Sequence, residues 1–376
     1  MCSSPKKVLF VIDTLEIGGT EQSLLENTSR FSSLIPIICH LYQGETLKEN
    51  FIKKGIKVYS IGINSKFGFF QAFRRLSGIV ENENPHLIVG YLTRSELIAR
   101  AVAKRYSIPV VGTFVSDLYS AKYNEKLKWS SKLKVKGFKY LNKFSTSICC
   151  GFIANSQGIK DANSEALGVS KERIEVIYRG RSKDKFKFKE RTTIDRAMIK
   201  FLNIGRLFPV KGQRELILAF KEFNSIVKNS SLDIIGDGPI KSELKELIKQ
   251  NELDNKVRLL GARYDIPELI QEYDCFIFPS HSEGFSGSVI EAMFSGLPVL
   301  ASDIGPNKEA IQHLVTGYLF ERGSENAILE AMFWYNENKA LAQAYASLAK
   351  KQAELKFELT NIAADFENYL TQKINL

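Results

Sequence analysis

The amino-acid sequence predicts an α/β fold built on two doubly wound parallel sheets, one in each half of the chain. Short apolar runs alternate with longer segments in which apolar residues recur at helical spacing, the pattern of consecutive β-α-β units. With 376 residues, 44% of them hydrophobic, the chain is long enough for two globular domains with separate cores. A run of charged residues interrupts the alternation between Tyr178 and Lys200, which predicts the linker between the two domains.

Apolar runs in the first half predict the strands of the first sheet at residues 8–13, 35–42, 57–63, 86–92, 109–114, 150–155 and 174–178. Runs in the second half predict the strands of the second sheet at residues 200–207, 232–236, 257–261, 275–279, 298–302 and 317–320. Helical patterns fill most of the intervals. The longest of those in the second half are predicted at residues 212–228, 240–250, 325–350 and 361–373.

Gly18 and Gly19 lie at the turn between the first strand and a helix predicted from about Thr20. Free backbone N–H groups at such a turn can bind a polar ligand, although two glycines can equally serve a purely structural turn. The pattern is not G-x-G-x-x-G, so the fingerprint of a dinucleotide-binding domain is absent.

Residues 276–291, with the sequence FIFPSHSEGFSGSVIE, are the most informative stretch of the chain. They predict a buried strand, a loop rich in glycine and serine, and a helix that starts near Ser286. Backbone N–H groups and the helix dipole converge at such a helix start, which makes it an anion site. Glu283 and Glu291 bracket the loop, and because a carboxylate repels phosphate we expect them to bind ribose or sugar hydroxyls instead.

The same stretch has a structural alternative, because two serine–glutamate pairs have the spacing of a helix capping box. The pairs are Ser280 with Glu283, and Ser288 with Glu291. Gly284 and Gly287 argue against a simple cap, since glycine weakens a helix by roughly 1 kcal/mol relative to alanine. Glycine also lets the backbone approach a ligand closely, so we favour a ligand site.

Several motifs, taken in their order, resemble family 4 of the retaining, nucleotide-sugar-dependent glycosyltransferases, which have the GT-B fold. They are GGTE at 18–21, IGRLFPVKG at 204–212, IIGDGP at 234–239, and the E-x7-E pair followed by GLPVLASDIGPNKE at 296–309. The resemblance is densest between residues 200 and 320. It implies two Rossmann-like domains facing a central cleft: residues 1–180 bind the acceptor and residues 181–355 bind the nucleotide sugar. Residues 356–376 then form a helix that returns to the first domain.

Arg206 and Lys211 are the candidate ligands of the donor's diphosphate. Arg206 ends a strand and Lys211 precedes the next helix, so both lie at the carboxyl edge of the second sheet, where open α/β sheets bind ligands. A guanidinium fork and an ammonium point charge suit two phosphates, although the pair could also be solvated loop cations. The resemblance implies the same role and adds Glu283, at the donor sugar, to the catalytic group.

The remaining donor contacts come from loops at strand ends. We expect Glu291 to accept hydrogen bonds from the ribose hydroxyls. The phosphates would meet the backbone of Gly284, Phe285, Ser286 and Gly287. Gly236, Asp237 and Gly238 are expected to line the nucleotide, and Arg263 to contact the base through its backbone. A purely structural turn explains the Gly236–Gly238 turn and the position of Arg263 equally well.

The chain departs from the family pattern in three places. The family's histidine, expected near Val115 or Ser116, is missing, and Ser116 or Asp117 is the candidate replacement, with a contact to the acceptor. Arg179-Gly180 replaces an Asn-Gly pair before the linker, and Gly305-Pro306 replaces a Gly-Gly pair. The lost histidine leaves the identity of the donor sugar open.

We therefore expect a retaining glycosyltransferase acting on a glycan, lipid-linked or protein acceptor, with a UDP-sugar as first choice of donor and a GDP-sugar as second. No D-x-D, H-x-H or H-E-x-x-H motif is present, so we expect no metal and no other cofactor. The alternative, suggested by the lost histidine, is a non-catalytic nucleotide-sugar-binding or scaffold subunit of a glycan-assembly complex. A nucleic-acid partner is not expected, because no recognition helix, zinc finger or RNA-binding signature accompanies the net charge of +10.

The segment from Lys122 to Lys143 has eight lysines and one acidic residue, interleaved with apolar side chains. It fits an anionic membrane surface, or equally a solvated helix whose apolar stripe faces its own core. The first residues lead from two lysines into a strand without a signal-peptide cleavage pattern, and the five cysteines show no paired spacing. These features predict a cytoplasmic enzyme, with a peripheral position on the inner face of the cell membrane as the further expectation.

Overall fold

A computed structural model describes residues 5–64, 68–119, 129–189 and 198–375. The chain forms two α/β units. One contains Met1–Gly180 together with Leu359–Leu376, and the other contains Arg181–Glu358. The sequence analysis set its divisions after residues 180 and 355, and the structure has them after Gly180 and Glu358. The α/β class predicted from the alternation of elements is confirmed.

The first unit is built on a seven-stranded sheet with the order β3-β2-β1-β4-β5-β6-β7. All its neighbouring strands run parallel. The strands are β1 Lys6–Ile12, β2 Leu34–Tyr42, β3 Lys57–Ile63, β4 Leu87–Gly90, β5 Val110–Phe114, β6 Gly151–Ala154 and β7 Ile174–Val176. Each falls on a predicted strand, because an apolar run buried on both faces of a parallel sheet is easy to recognise in sequence.

Helices cover both faces of this sheet. Their bounds are Gly19–Thr28, Lys48–Lys53, Phe69–Glu83, Thr93–Tyr106, Trp129–Ser145, Gln157–Leu167 and Leu359–Ile374. Side chains of β1 alternate between the two resulting cores: Leu9 and Val11 belong to one, while Val8, Phe10 and Ile12 belong to the other. Because the strands are parallel, their carboxyl ends lie at one edge of the sheet. The connecting loops at this edge carry the polar residues considered below.

The C-terminal helix Leu359–Ile374 packs within the first unit. Phe366 and Leu370 are buried in the same core as Phe10, and the rings of Phe10 and Phe366 lie 6.0 Å apart. The return of this helix, which the resemblance implied, is thus present in the fold.

Glu367 anchors that helix by a carboxylate that accepts three backbone N–H bonds, from Ser32, Ser33 and Leu34, at 2.7–3.0 Å. Burial acts to raise the pKa of Glu367, but these hydrogen bonds outweigh it and hold the pKa below its ordinary value. The carboxylate is therefore favoured over the neutral acid in the folded protein.

Glu367→Gln is expected to lower the free energy of unfolding by about 3 kcal/mol at neutral pH, since a hydrogen bond to a charged group contributes about 1.5–3 kcal/mol. Because the folded-state pKa is depressed, the ionised form's contribution is present above the unfolded pKa and is lost as the pH falls through the folded pKa. Denaturant unfolding at several pH values tests this, with the exposed Asp365→Asn in the same helix as matched control. A difference between variant and wild type that does not shrink in acid would contradict it.

The second unit is built on a six-stranded parallel sheet with the order β10-β9-β8-β11-β12-β13. The strands are β8 Ile199–Ile204, β9 Ser230–Ile235, β10 Val257–Gly261, β11 Cys275–Phe278, β12 Val299–Ser302 and β13 Tyr318–Phe320. The helices are Gln213–Ile226, Lys241–Gln250, Ile266–Leu269, Gly287–Phe294, Gly305–Ala310, Glu325–Glu337 and Lys339–Lys356. Both sheets thus have the doubly wound arrangement expected from the sequence.

The single helix predicted over residues 325–350 is wrong. The structure has two helices, Glu325–Glu337 and Lys339–Lys356, separated at Asn338, whose backbone leaves the helical region (φ −121°, ψ 36°). The Asn338 side-chain amide donates to the carbonyl oxygen of Trp334 at 2.9 Å, as does its backbone N–H. An asparagine that hydrogen-bonds its own backbone favours a helix end, and periodicity alone does not reveal this.

Across the described residues, no helix combines the length and the apolarity needed to cross a bilayer. Residues 190–197 of the predicted linker, and residues 122–128 of the lysine-rich segment, lie outside the described part of the chain.

Candidate active site

The glycine- and serine-rich loop joins β11 to the helix Gly287–Phe294. Ser286 occupies the N-cap position (φ −83°, ψ 117°), but its side chain makes no capping hydrogen bond and instead lies 3.1 Å from the Ser288 hydroxyl. Ser280 is six residues before the N-cap, and its hydroxyl donates to the carbonyl oxygen of Val210 at 3.3 Å. Neither serine of the two capping-box pairs is at the N-cap, so the capping-box alternative is wrong. The first turn keeps backbone N–H groups without a side-chain cap.

The structure brings Glu283 and Lys211 together, although 72 residues separate them in sequence. The Lys211 ammonium lies 2.5 Å from Oε1 of Glu283, and each side chain is only about one-seventh exposed, 14% and 13%. Lys211 ends a short 3-10 helix, Pro209–Lys211, after β8. The backbone N–H of His281 donates to Val210 at 2.8 Å, which ties this loop to the end of β11. The sequence placed Lys211 at an open edge; the structure places it there partly buried and paired.

Arg206 lies in the same loop after β8 and is exposed. Its guanidinium stacks over the Phe208 ring, 5.1 Å from the ring centre. In the described part of the chain no carboxylate lies within ion-pair distance of Arg206. The unit therefore presents one stacked cation without a counter-ion beside one cation already held by a carboxylate, an arrangement that suits an incoming anion.

The turn Gly236–Gly238 packs directly against the Arg206 loop. A Cβ at Gly236 (φ 147°) would lie 2.0 Å from the Gly205 carbonyl oxygen, and one at Gly238 would lie 2.3 Å from that of Leu207. Both positions therefore need glycine for backbone packing. The Asp237 carboxylate is exposed and pairs with Lys241 at 2.8 Å.

Arg263 follows β10 and lies in an exposed local pair with Asp265, with Nε 2.8 Å from Oδ1. This pair anchors the side chain close to its own backbone. The sequence analysis predicted that the backbone of Arg263 contacts the base, and that contact stays a prediction.

Glu291 projects from the second turn of the helix Gly287–Phe294 and meets a residue that the sequence analysis missed. Nε of Arg181 lies 2.6 Å from Oε1 of Glu291, and the two side chains are 8% and 14% exposed. A Cβ on Gly287 would lie 2.0 Å from the Arg181 guanidinium, so glycine at this position makes room for it. Arg181 also donates its backbone N–H to the Phe357 carbonyl oxygen at 2.9 Å. The signal in the sequence that could have identified Arg181 was its position in the charged run after Tyr178.

The first unit holds the other predicted site residues. Gly18 is the N-cap (φ −147°, ψ 164°) of the helix Gly19–Thr28, so that helix starts one residue earlier than expected. A Cβ on Gly19 would lie 2.7 Å from the Arg179 guanidinium, which places a cation against the glycine turn. The arginine that replaces the family's asparagine is thus part of this turn's surroundings.

Ser116 and Asp117 follow β5. Ser116 is exposed and lines a cavity of about 450 Å³ within the first unit, and its backbone carbonyl accepts a hydrogen bond from the Asn163 amide at 3.1 Å. Other lining residues include Asp13, Arg94, Glu96, Lys134 and Phe138. Asp117 is not among them.

Two carboxyl groups of this cavity have raised pKa values. Burial raises the pKa of Asp13, partly offset by the hydrogen bond from the Ser95 hydroxyl at 2.6 Å and by the nearby charge of Arg94. Burial likewise raises the pKa of Glu96, although Arg100 lies 3.2 Å away and the Thr113 N–H donates to it at 2.6 Å. Glu96 is held within the fold by these partners, whereas among the described residues Asp13 has hydrogen-bond partners on one oxygen only.

The described ranges contain no group of three or more His, Cys, Asp or Glu side chains placed to hold a metal ion.

The class of a GT-B glycosyltransferase is defined by two α/β units, each built on a parallel sheet, and by a loop with E-x7-E spacing at the edge of the second sheet. Comparison with known families agrees: residues 17–185 match Glycosyltransferase Family 4, and residues 184–352 match Glycosyl transferases group 1. The chain belongs to family 4 of the glycosyltransferases, as its motifs indicated.

Curated relatives of this chain are named as glycosyltransferases as well. The UDP-Gal:alpha-D-GlcNAc-diphosphoundecaprenol alpha-1,3-galactosyltransferase of Escherichia coli is 25% identical over 274 residues, 70% of this chain and 69% of the relative. An uncharacterized glycosyltransferase of Methanocaldococcus jannaschii is 38% identical over 135 residues, which span 36% of this chain and only 30% of that relative. The matched stretches therefore cover between about a third and two thirds of these relatives.

Solved structures share the fold over nearly the whole chain. The crystal structure of Anabaena HepE in complex with UDP-glucose superposes with a TM-score of 0.83 at 22% identity, covering 97% of this chain and 99% of HepE. The crystal structure of TarM gives a TM-score of 0.79 at 14% identity, covering 99% of both chains.

Proposed function

We propose that this protein transfers a sugar from a UDP-sugar to a lipid-diphosphate-linked glycan, with retention of configuration and without a bound metal. The observation that carries the proposal is the Lys211–Glu283 pair beside the uncompensated Arg206, at the carboxyl edge of a family 4 sheet. The E. coli relative, whose name contains UDP-Gal and a diphosphoundecaprenol acceptor, supports UDP over GDP and a lipid-linked acceptor over a protein. HepE was crystallised with UDP and with UDP-glucose.

In this proposal Arg206 and Lys211 bind the diphosphate and stabilise its growing charge as the sugar departs. Lys211 exchanges its contact with Glu283 for the phosphates, and Glu283 then accepts hydrogen bonds from the donor sugar. Glu291, fixed by Arg181, accepts from the ribose. The remaining donor contacts are the turn residues Gly18 and Gly19, the nucleotide-lining residues Gly236, Asp237 and Arg263, and the loop Gly284, Phe285, Ser286 and Gly287.

Two protein cations can carry the charge of a leaving diphosphate, which is why we propose metal independence. Donor hydrolysis and sugar transfer with a panel of UDP- and GDP-sugars test the whole proposal, each measured with excess EDTA and with Mg²⁺. We expect turnover of a UDP-sugar that is unchanged by EDTA. Activity that EDTA abolishes and Mg²⁺ restores would contradict metal independence. No turnover of any donor by the folded protein would instead favour the scaffold-subunit alternative.

We also propose that the helix Trp129–Ser145 docks on an anionic membrane surface, which would place the protein at the cytoplasmic face of the cell membrane. Leu133, Tyr140, Leu141 and Phe144 are all more than half exposed and recur at helical spacing on one face. The inward face of the helix is different: it carries Val135, Phe138 and Asn142, which line the cavity. The apolar stripe is therefore not explained by the protein's own core.

Charge supports an anionic partner for this outward face, because the helix has five lysines and no acidic residue. Each basic residue near anionic lipid contributes about 1 kcal/mol. Changing Lys132, Lys136, Lys139 and Lys143 to glutamine should therefore abolish sedimentation with phosphatidylserine vesicles. Salt should weaken the wild-type interaction.

The matched control changes Lys221, Lys228, Lys245 and Lys249, exposed lysines of the second unit, to glutamine and should sediment like wild type. A wild-type protein that ignores these vesicles would show that the helix is an ordinary solvated surface.

A further inference from the structure

The 450 Å³ cavity of the first unit lies at the carboxyl ends of its parallel strands. Three parallel strands end beside it: Asp13 follows β1, Leu92 follows β4 and Ser116 follows β5. Ligands of open α/β sheets bind at the carboxyl ends of such strands. Its volume is within the range of small-molecule sites.

The charged side chains of this cavity are only partly used in contacts within the protein. Asp13 accepts both bonds from Ser95 on Oδ1, and no donor among the described residues contacts Oδ2. The Arg94 guanidinium stacks 5.8 Å above the Tyr42 ring, and neither it nor Lys134 is within ion-pair distance of a described carboxylate. Asp13 and Arg94 are partly buried here, and Lys134 is exposed at the rim of the cavity. A partly buried carboxylate and guanidinium that do not form an ion pair are costly in a purely structural void, so they point to a ligand.

The backbone at the cavity is strained as well. Leu92 has φ 66° and ψ 149°, a region that is almost exclusive to glycine. This conformation starts the helix Thr93–Tyr106 and holds Thr93 and Arg94 at the cavity wall. Strain of this kind persists where the position of a side chain matters more than local stability.

One wall of the cavity is apolar. It is formed by Leu118 and by Val135 and Phe138 of the helix Trp129–Ser145, the same helix whose opposite face carries the exposed apolar stripe. A ligand in this cavity thus meets a free carboxylate oxygen, two cations and an apolar surface.

We propose that the cavity binds the acceptor as a sugar joined through a diphosphate to an apolar chain. Asp13 accepts a hydrogen bond from a sugar hydroxyl, Arg94 and Lys134 bind the diphosphate, and the chain leaves along Val135 and Phe138. This inference rests on the proposed function and names the residues that would recognise its acceptor. Asp13 and Arg94 had no assigned role in the sequence analysis.

The test measures binding to the full-length protein after its donor site has been saturated with UDP. The probes for calorimetry are geranyl diphosphate, inorganic diphosphate, and geranyl diphosphate carrying an α-linked N-acetylglucosamine. We expect geranyl diphosphate to bind more tightly than inorganic diphosphate, and the sugar to increase the affinity further. Arg94→Ala and Lys134→Ala should weaken both geranyl probes by about 10-fold or more, the scale of a charge-assisted hydrogen bond.

Asp13→Asn should weaken only the sugar-bearing probe, by a similar factor. The matched controls are Lys104→Ala and Arg105→Ala, two exposed cations on the same helix as Arg94; neither lines the cavity and both should bind like wild type. The proposal is overturned if UDP-saturated wild type binds no geranyl diphosphate, or if the three cavity variants, folded by melting temperature, bind all probes like wild type.

Equal affinity for inorganic and geranyl diphosphate would overturn the lipid part, and no gain from the sugar would overturn the role of Asp13. A failure of the proposed function itself would be visible separately, as an absence of UDP binding in the saturation step.

Discussion

Lys211→Ala and Arg206→Ala are each expected to lower turnover by about 10²–10³-fold, the scale for removing one preorganised group that stabilises charge in the transition state. Both cations belong to the loop after β8, and the leaving diphosphate must be neutralised there if no metal takes part. The measurement is kcat for donor hydrolysis or sugar transfer with the UDP-sugar that wild type uses.

The matched controls are Arg214→Ala and Lys221→Ala, two exposed cations on the helix that follows this loop. Both should retain wild-type turnover. Lys211→Ala leaves the mostly buried Glu283 without its cation, so its melting temperature must be measured beside its activity. A folded Arg206 variant with normal turnover would contradict the assignment of the diphosphate site.

Glu291→Gln and Glu283→Gln should fail in different ways, although both acids bracket one loop. Glu291→Gln should weaken the affinity for UDP by about 10- to 100-fold, since a hydrogen bond to a charged group is worth about 1.5–3 kcal/mol. Glu283→Gln should leave UDP affinity unchanged or improved, because it releases Lys211 for the phosphates, and should still depress turnover through the lost sugar contact.

Calorimetry with UDP, combined with turnover for each variant, separates the two roles. Glu330→Gln, an exposed acid on the helix Glu325–Glu337 and outside the proposed site, serves as control and should behave like wild type in both assays. Equal loss of UDP affinity in the Glu283 and Glu291 variants would refute the division between sugar and ribose.

The strands were predictable because parallel strands buried on both faces appear as short continuous apolar runs. Strand β11, Cys275–Phe278, and the helix start at Gly287 followed from the same reasoning, since two glycines and a serine-rich loop mark a strand-to-helix turn. The break at Asn338 did not, because the flanking residues keep their helical periodicity and only a side-chain hydrogen bond ends the first helix.

Partners of the site residues were less accessible to sequence reasoning than the residues themselves. The contact between Lys211 and Glu283 joins two loops 72 residues apart, and the contact between Arg181 and Glu291 spans 110 residues. No local pattern encodes such distances; they follow from the order of strands in the second sheet. The free oxygen of Asp13 and the strained backbone of Leu92 likewise emerge only when β1, β4 and β5 are brought to one edge.

The central claim, a UDP-sugar site whose diphosphate is held by protein cations, is tested most directly by calorimetry in EDTA with UDP and UMP on wild type and Arg206→Ala. We predict that wild type binds UDP at least about 10-fold more tightly than UMP, as one charge-assisted contact would provide, and that Arg206→Ala narrows this difference while leaving UMP affinity unchanged. Equal affinity of wild type for UDP and UMP, or UDP binding that appears only when Mg²⁺ is added, would contradict the account.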